Sequence, residues 1–455
     1  MDSCAQLLLI TCPSRWPRLP ALGEACLKAY LEANEIRTDV LDLNNYCYSF
    51  VNDELKRLWE LPVYPAFSAG LWDHLEKKYR FEFESILSAI IAHPAKTVGL
   101  SVWHSSKIFS QKLALYVRQY APKKRIVAGG PEVTLSSLEK IFSAGNDFFY
   151  ADYCIAGEGE YNLLNLLTKS LQTNVKYYDF LETDPDSLPA PDYRQIFPKP
   201  YRYPNTRPVW MSRGCIRRCA FCVEHALTKR YRQKRPEAVV RELNALHSLH
   251  GVNHVIFYDS LINGNIRLFE EFLDRMIDAR TAVKWEGQLL IRPDMPARLY
   301  GKMKQAGCYN LFIGLESGCD RILSAMRKGF STNDAQDCFK ACSDAQLHFE
   351  VSLIAGFPTE TQADFESTLD FLKKNARVIP KIAQVNPFMP LAVSPLLKDS
   401  GKQVICEFPD LVLTRVQRIV DVCRSNGIAV TPAYVNNLMA QTAGFDTETG
   451  SMIIY

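Results

Sequence analysis

The chain has 455 residues, 53 Lys and Arg against 50 Asp and Glu, and a formal net charge of +3, a balance that calls for neither nucleic acid nor an anionic membrane as partner. Its length suits two or three domains with buried cores, and apolar runs such as residues 86–92 fall far short of the roughly 18 residues that a spanning helix needs. Fourteen cysteines without a charged-then-apolar leader point to a reducing compartment, read as the cytoplasm, where thiols serve as ligands or core residues.

The first predicted element is a buried parallel strand at residues 6–11, because the run is short, continuous and unalternating. A loop with Pro13, Pro17, Pro20 and Gly23 follows, then an amphipathic helix at 24–33 and a second strand at 38–43, which completes a βαβ unit. Residues 50–95 read as helical and aromatic (Trp59, Tyr64, Phe67, Trp72, Tyr79, Phe81, Phe83), an insertion expected over the sheet edge. Strands at 97–102, 125–128 and 153–156, with a helix through 112–117, extend the doubly wound α/β pattern.

Ligands of such sheets bind beyond the carboxyl ends of the strands. Those ends carry Ser101 with Trp103 and His104, then Gly129-Gly130-Pro131-Glu132, then Gly157-Glu158-Gly159-Glu160. Glycines there let a large ligand approach the backbone, and they serve plain turns equally well. A helix at 163–171 leads into a connector ending near residue 205, whose six prolines from Pro185 to Pro204 favour extended backbone and mark a domain boundary.

From 206 to 395 strands and helices alternate in the beat of a parallel α/β barrel, closed or partial. Strands are expected at 209–213, 254–258, 283–290, 310–315, 350–355 and 382–387, with helices between them such as 236–246, which starts on Pro236. Chemistry in such barrels sits at the carboxyl ends of the strands. Placed there are Asp259 and Ser260 with Asn263, Arg292 with Asp294, Glu316 and Ser317 within Gly314–Gly318, and Ile354 and Gly356 within Ser352–Glu360.

After the first of these strands Cys215, Cys219 and Cys222 are spaced C-x3-C-x2-C, with Gly214 ahead and Phe221 inside. Three thiolates on a tight loop can hold three irons of a cubane and leave the fourth open. Zinc also takes thiolates, although its structural sites use four protein ligands, and three free buried thiols are the remaining reading. Cys308, Cys319, Cys338 and Cys342 lack ligand spacing and read as buried thiols. The basic run Lys229–Arg235 is either a solvated face or a set of phosphate or propionamide contacts. An amphipathic helix at 411–423 opens a tail, 396–455, expected to cap the barrel.

The cysteine loop resembles that of the radical S-adenosylmethionine (SAM) superfamily. The turns before it resemble the cobalamin-binding domain of B12-dependent members, with Pro20-Ala-Leu-Gly23, Ser101, Gly129-Gly130-Pro131 and Gly157-Glu158-Gly159-Glu160 in matching order. The resemblance implies a Rossmann-like cobalamin domain over 1–170, a connector over 171–205, a partial (β/α)6 barrel over 206–395 and a cap over 396–455. It implies a [4Fe-4S] cluster on Cys215, Cys219 and Cys222, and SAM near Phe221, Asp259, Ser260, Arg292, Glu316, Ser317, Ile354 and Gly356, with Asp259 and Ser260 either facing its ammonium or capping the next helix, and Arg292 either pairing with its carboxylate or forming a structural pair with Asp294. Cobalamin is expected near Ser101, Trp103, His104, Gly129, Gly130, Gly157, Glu158 and Gly159, base-off, because the histidine motif Asp-x-His-x-x-Gly is absent.

The implied activity is methyl transfer from methylcobalamin to a substrate radical made by the 5′-deoxyadenosyl radical, at carbon or at a phosphinate phosphorus. A flavodoxin or ferredoxin is the implied electron donor, and a small molecule, lipid or peptide the substrate, with no nucleic acid. A rearrangement or cyclisation on the same cofactors is one alternative, and a non-catalytic zinc- or cobalamin-binding regulator is another.

Overall fold

The computed structural model describes residues 5–60, 65–138, 148–169, 177–178, 182–389, 391, 393–399, 409–431, 443–445 and 452–454. Tyr64, the end of the predicted 163–171 helix and much of the expected tail lie outside the described residues. The chain divides into two units, Met1–Pro204 with Asn436–Tyr455, and Asn205–Val435.

In the first unit, β1 (Leu7–Thr11), β2 (Thr38–Asp42), β3 (Thr97–Ser101), β4 (Arg125–Gly129), β5 (Tyr153–Ile155) and β6 (Tyr177–Tyr178) form a parallel sheet in the order β2-β1-β3-β4-β5-β6. Successive side chains on a strand point to opposite faces, and both faces here are apolar. Leu8, Ile10, Val98, Leu100 and Ile126 share one core with Trp59, Trp72, Phe83 and Phe109, whereas Leu7, Leu9, Val40 and Val127 share another with Leu31, Leu163 and Leu166. The aromatic helices Asp53–Trp59, Pro65–Lys78 and Arg80–Ala92 therefore contribute to the core on a face of the sheet, not an edge, and Trp72 sits 4.9 Å from Phe83 and 5.1 Å from Phe109 between ring centroids. Gly99 is fixed by this packing, since a Cβ there would lie 2.7 Å from Leu9 Cδ2.

In the second unit, β7 (Thr206–Val209) is followed by β8 (Ser212–Arg213) and β9 (Arg232–Gln233), a short antiparallel pair. Then come β10 (His254–Phe257), β11 (Lys284–Leu289), β12 (Cys308–Glu316), β13 (Phe349–Ala355), β14 (Lys381–Pro387) and β15 (Ala429–Val430). The large sheet is parallel and runs β15-β14-β13-β12-β11-β10-β7, so β7 and β15 are its edges and the barrel is partial. It has seven strands where six were expected. The first strand also ends at Val209, where the expected one began, because Ser212 and Arg213 leave the sheet to pair with β9.

Alternation sets the two faces of this sheet. On β11, Trp285, Gly287 and Leu289 are buried, with Trp285 against Phe257 and Phe272 at 6.0 and 6.1 Å, while Glu286 and Gln288 keep solvent access. The stretch expected to cap the barrel is split. Helix Pro409–Ser425 and β15 stay with the second unit, whereas β16 (Ala443–Phe445) and β17 (Met452–Ile454), an antiparallel pair, group with the first. Among the described residues no helix is long and apolar enough to cross a membrane.

Candidate functional site

The cysteine loop is closed at its root. The β8–β9 pair brings residues 212–213 against 232–233, and Lys234 N donates to Met211 O at 2.8 Å, so the eighteen residues between must fold back on themselves. Gly214 allows the tight start: its φ is +84°, and a Cβ would lie 2.6 Å from Arg230 O. Asp259, 1% exposed beyond the end of β10, accepts from the amides of Met211 and Ser212 and from Ser212 Oγ at 2.5 Å. Burial raises its carboxyl to about 7, against the opposing pull of those donors. The carboxylate is thus engaged in bracing the chain three residues ahead of Cys215. Ser260 beside it is half-buried.

Within the loop Cys219 is buried, Cys215 and Cys222 are half-buried, and none of the three forms a disulfide. Backbone amides point at two of the sulfurs, Arg217 N to Cys215 Sγ and Glu224 N to Cys222 Sγ, each at 3.4 Å. Burial raises all three thiols, Cys222 to about 11, and the sulfurs lie near enough for mutual charge effects. Metal coordination overrides such a shift, because a bound thiol is deprotonated outright. Among the described residues no three His, Cys, Asp or Glu side chains converge as ligands of one metal ion. A cubane asks for something else, one thiolate on each of three separate irons.

The loop is also held from outside. Ala220 N donates to Met326 O at 2.9 Å, Leu396 N to Ala220 O at 2.8 Å, and Arg217 Nη2 to Gly329 O at 3.2 Å. Phe221 and Ile354 both line the apolar cluster around Ala220, Ile322, Met326 and Phe357, which brings the cysteine loop and the end of β13 together.

Glu316 ends β12 at φ +73°, beside a register shift between β12 and β13. Its carboxylate is buried, 3.2 Å from Lys328 Nζ, and accepts from Ser352 Oγ at 3.2 Å, which in turn accepts from Gln384 Nε2 at 3.0 Å. Lys328, Ser352 and Gln384 were not read as site residues from the sequence. The one available signal was a lysine set between Met326 and Phe330 beside a glycine turn.

Other predicted residues are engaged internally. Arg292 turns both prongs onto Asp294, at 2.9 and 2.6 Å, and Nη1 onto the carbonyls of Asn263 and Gly264. Ser317 is fully buried between Thr368 Oγ1 and Cys319 N. Gly356 N donates to Glu360 Oε2 at 3.0 Å, and Ile354 two residues before it is half-buried.

In the first unit the strand ends are stitched together. Gly130, at φ +104°, packs so closely that a Cβ would lie 2.8 Å from Val102 O, and Thr134 Oγ1 links Gly130 O to Gly157 N at 2.9 Å each. Gly129, Gly157 and Gly159 are half-buried, as is Ser101 at the end of β3. Glu158 accepts from Thr183 N at 2.7 Å, so its carboxylate ties the turn to the connector. His104 lies 3.4 Å from Glu132, which also faces Lys107 at 3.3 Å, and the hydrogen bond to Glu132 keeps the imidazole protonated above its ordinary range. Trp103 is exposed, with the Arg15 guanidinium 4.4 Å over its ring.

A parallel partial barrel with a three-cysteine loop after its first strand defines a radical SAM domain, and residues 210–372 match the family model described as Radical SAM superfamily. Among curated proteins, the chain is 26% identical to an uncharacterised methyltransferase of Pyrococcus horikoshii over 64% of this chain and 67% of that protein. It is 32% identical to a tRNA-2-methylthio-N(6)-dimethylallyladenosine synthase of Tropheryma whipplei (45% and 43% covered) and 26% identical to an anaerobic magnesium-protoporphyrin IX monomethyl ester cyclase of Cereibacter sphaeroides (56% and 45% covered). The chain thus spans about two thirds of the first relative and under half of the other two.

Among solved structures, the radical SAM methyltransferase TsrM of Kitasatospora setae, with cobalamin and a [4Fe-4S] cluster bound, matches with a TM-score of 0.67 at 16% identity, covering 86% of this chain and 77% of that one. The cobalamin-dependent radical SAM enzyme OxsB, with aqua-cobalamin and SAM bound, matches at 0.60 and 16% identity, covering 99% and 64%. At such identities the likeness is one of fold: a doubly wound α/β domain followed by the barrel.

Proposed function

We propose that this radical SAM protein is a cobalamin-dependent enzyme and that it transfers a methyl group to an unactivated position of its substrate. The observation that carries this reading is the pairing, in one chain, of a cinched three-thiol loop with a doubly wound sheet whose strand ends are glycine-rich. Cys215, Cys219 and Cys222 would hold the cluster, and the open end of β13 at Ile354, with Phe221 beside it, would receive the nucleoside. The Ser101, Gly129, Gly130, Gly157 and Gly159 edge would receive the corrin, where only glycine lets a large planar ligand approach the backbone.

When bound, the cofactors supply a one-electron reductant, a 5′-deoxyadenosyl radical source and a transferable methyl group. The contribution of the chain is to fix geometry and exclude water. Asp259 holds the root of the cysteine loop, and the Ala220, Phe221, Ile322, Met326 and Phe357 cluster keeps its inner side dry.

The test is anaerobic reconstitution with iron, sulfide and cobalamin, followed by assay of candidate substrates for both 5′-deoxyadenosine and S-adenosylhomocysteine. Both products together are expected. Deoxyadenosine without S-adenosylhomocysteine would favour the second reading, an oxidative cyclisation or rearrangement, to which the similarity to the Cereibacter sphaeroides cyclase lends support. Sulfide near zero in the reconstituted protein, with zinc bound in its place, would remove both.

A further inference from the structure

Lys328 is a lysine in an improbable place. Its side chain is 6% exposed, in the turn between helices Asp320–Ala325 and Thr332–Asp344, and its ammonium lies over two rings, 5.9 Å from the centre of Phe221 and 5.5 Å from that of Phe330. Burial of an ammonium is costly unless it meets an opposite charge. The partner supplied within the barrel, Glu316, is itself held by Ser352 at 3.2 Å, so the pair is oriented rather than mobile. Phe221 belongs to the cysteine loop, and the same turn receives Ala220 N at Met326 O and Arg217 at Gly329 O. The turn that carries Lys328 is therefore a clamp on the loop, and its ammonium lies over Phe221, the residue that precedes Cys222.

We infer that Lys328 is a positioning residue that stabilises the electron-rich form of the cluster, holding a fixed ammonium in the apolar wall beside the thiolates. The inference rests on the cluster reading above. When one electron passes from an external reductant to the cluster, the site gains one negative charge, and no bond need form or break. A buried cation nearby favours that charge and raises the reduction potential, since cluster potentials follow local charge and solvent exposure. The Glu316 carboxylate opposes it.

The test is a potentiometric titration of the reconstituted protein, without nucleotide, with the reduced cluster read by its electron paramagnetic resonance signal. K328M is expected to shift the midpoint to more negative potential, K328R to stay near the wild-type value, and E316Q to shift it in the positive direction. Opposite signs from the two halves of one ion pair are what loosened packing alone would not give. Because K328M leaves a buried carboxylate unpaired and could fail to fold, the double variant K328M/E316Q is the second reading. It lacks both charges and is expected to show a smaller negative shift, because it is the ammonium that lies over the loop residue Phe221. A wild-type midpoint in K328M or in the double variant, or shifts of the same sign in K328M and E316Q, would overturn the inference. Wild-type protein that takes up no iron and sulfide would instead overturn the cluster reading.

Discussion

Asp259 and Ser212 are joined twice, through the Ser212 amide and through its hydroxyl, although 46 residues separate them in the chain. Met211 N adds a third donor to the same carboxylate. The contact fixes where the cysteine loop leaves the barrel, so the position of the three thiols depends on a residue that touches none of them.

Removing that carboxylate leaves the buried amides of Met211 and Ser212 without this acceptor, while Ser212 Oγ keeps Leu261 O at 3.2 Å. D259A is expected to cost about 3 kcal/mol or more of unfolding free energy, and S212A, which loses one hydroxyl bond, about 1 kcal/mol. Urea denaturation of the cluster-free chain measures both. Iron bound per chain after reconstitution should fall in D259A and hold in S212A. A D259A chain with full stability and full iron would mean that the root of the loop is held by other contacts.

His104 stands at the predicted corrin edge 3.4 Å from Glu132, and the hydrogen bond to that carboxylate shifts the imidazole toward its protonated form. A protonated imidazole has no lone pair for cobalt. Bound cob(II)alamin is therefore expected to be base-off, with an electron paramagnetic resonance spectrum free of nitrogen hyperfine splitting, and H104A should give the same spectrum. Nitrogen splitting in the wild type that disappears in H104A would show that the histidine leaves Glu132 to bind the metal.

Asp42 gives a stability signature in pH. It is fully buried, and burial raises its carboxyl from 3.8 to about 6, despite hydrogen bonds from Asn45 N at 2.7 Å and Tyr201 OH at 2.7 Å that pull the other way. The folded chain then binds the proton more tightly than the unfolded chain does. The resulting stability is present below about pH 4 and is lost as pH rises through about 6. Relative to D42N, the wild type should lose stability between pH 4 and 6 and run parallel above 7, as read by urea midpoints across that range. Parallel curves throughout would place the Asp42 proton outside the folding equilibrium.

The legible parts of this fold were those written locally. Buried parallel strands such as Leu7–Thr11 and Phe349–Ala355 are continuous apolar runs, and the cysteine spacing lies within eight residues. The two-residue strands Tyr177–Tyr178 and Ala429–Val430 are too short to show a period. β7 was placed late because Thr206-Arg207-Pro208 reads as loop, yet proline is tolerated on an edge strand, and β7 is one. Site residues were legible by type and not by partner. Asp259 and Arg292 stand at strand ends as expected, but nothing local reveals that Ser212 or the carbonyls of Asn263 and Gly264 take up their polar atoms. Lys328 was invisible for the same reason, its meaning lying in Glu316 twelve residues away.

The C-terminal helix makes a last prediction. Arg415 reaches from Pro409–Ser425 to Glu360 at 2.9 Å with both side chains nearly sealed, 4% and 2% exposed, and the same carboxylate oxygen accepts from Gly356 N at 3.0 Å. Arg415 and Arg418 also lie over Phe365 at 5.2 and 5.1 Å. The helix thereby fixes the turn at the end of β13, where the nucleoside is proposed to sit. R415A strands a buried carboxylate and is expected to cost about 3–5 kcal/mol, whereas R415M/E360Q removes both charges at similar volume and should recover most of that loss. The two roles separate in binding. If the pair only stabilises the fold, R415M/E360Q will bind SAM as the wild type does. If it sets the Gly356 turn, the double variant will regain stability and still bind SAM more weakly, because a neutral amide holds the Gly356 amide less firmly than a carboxylate does. Thermal melts paired with equilibrium SAM binding on the reconstituted protein decide between them, and the second outcome is the one expected.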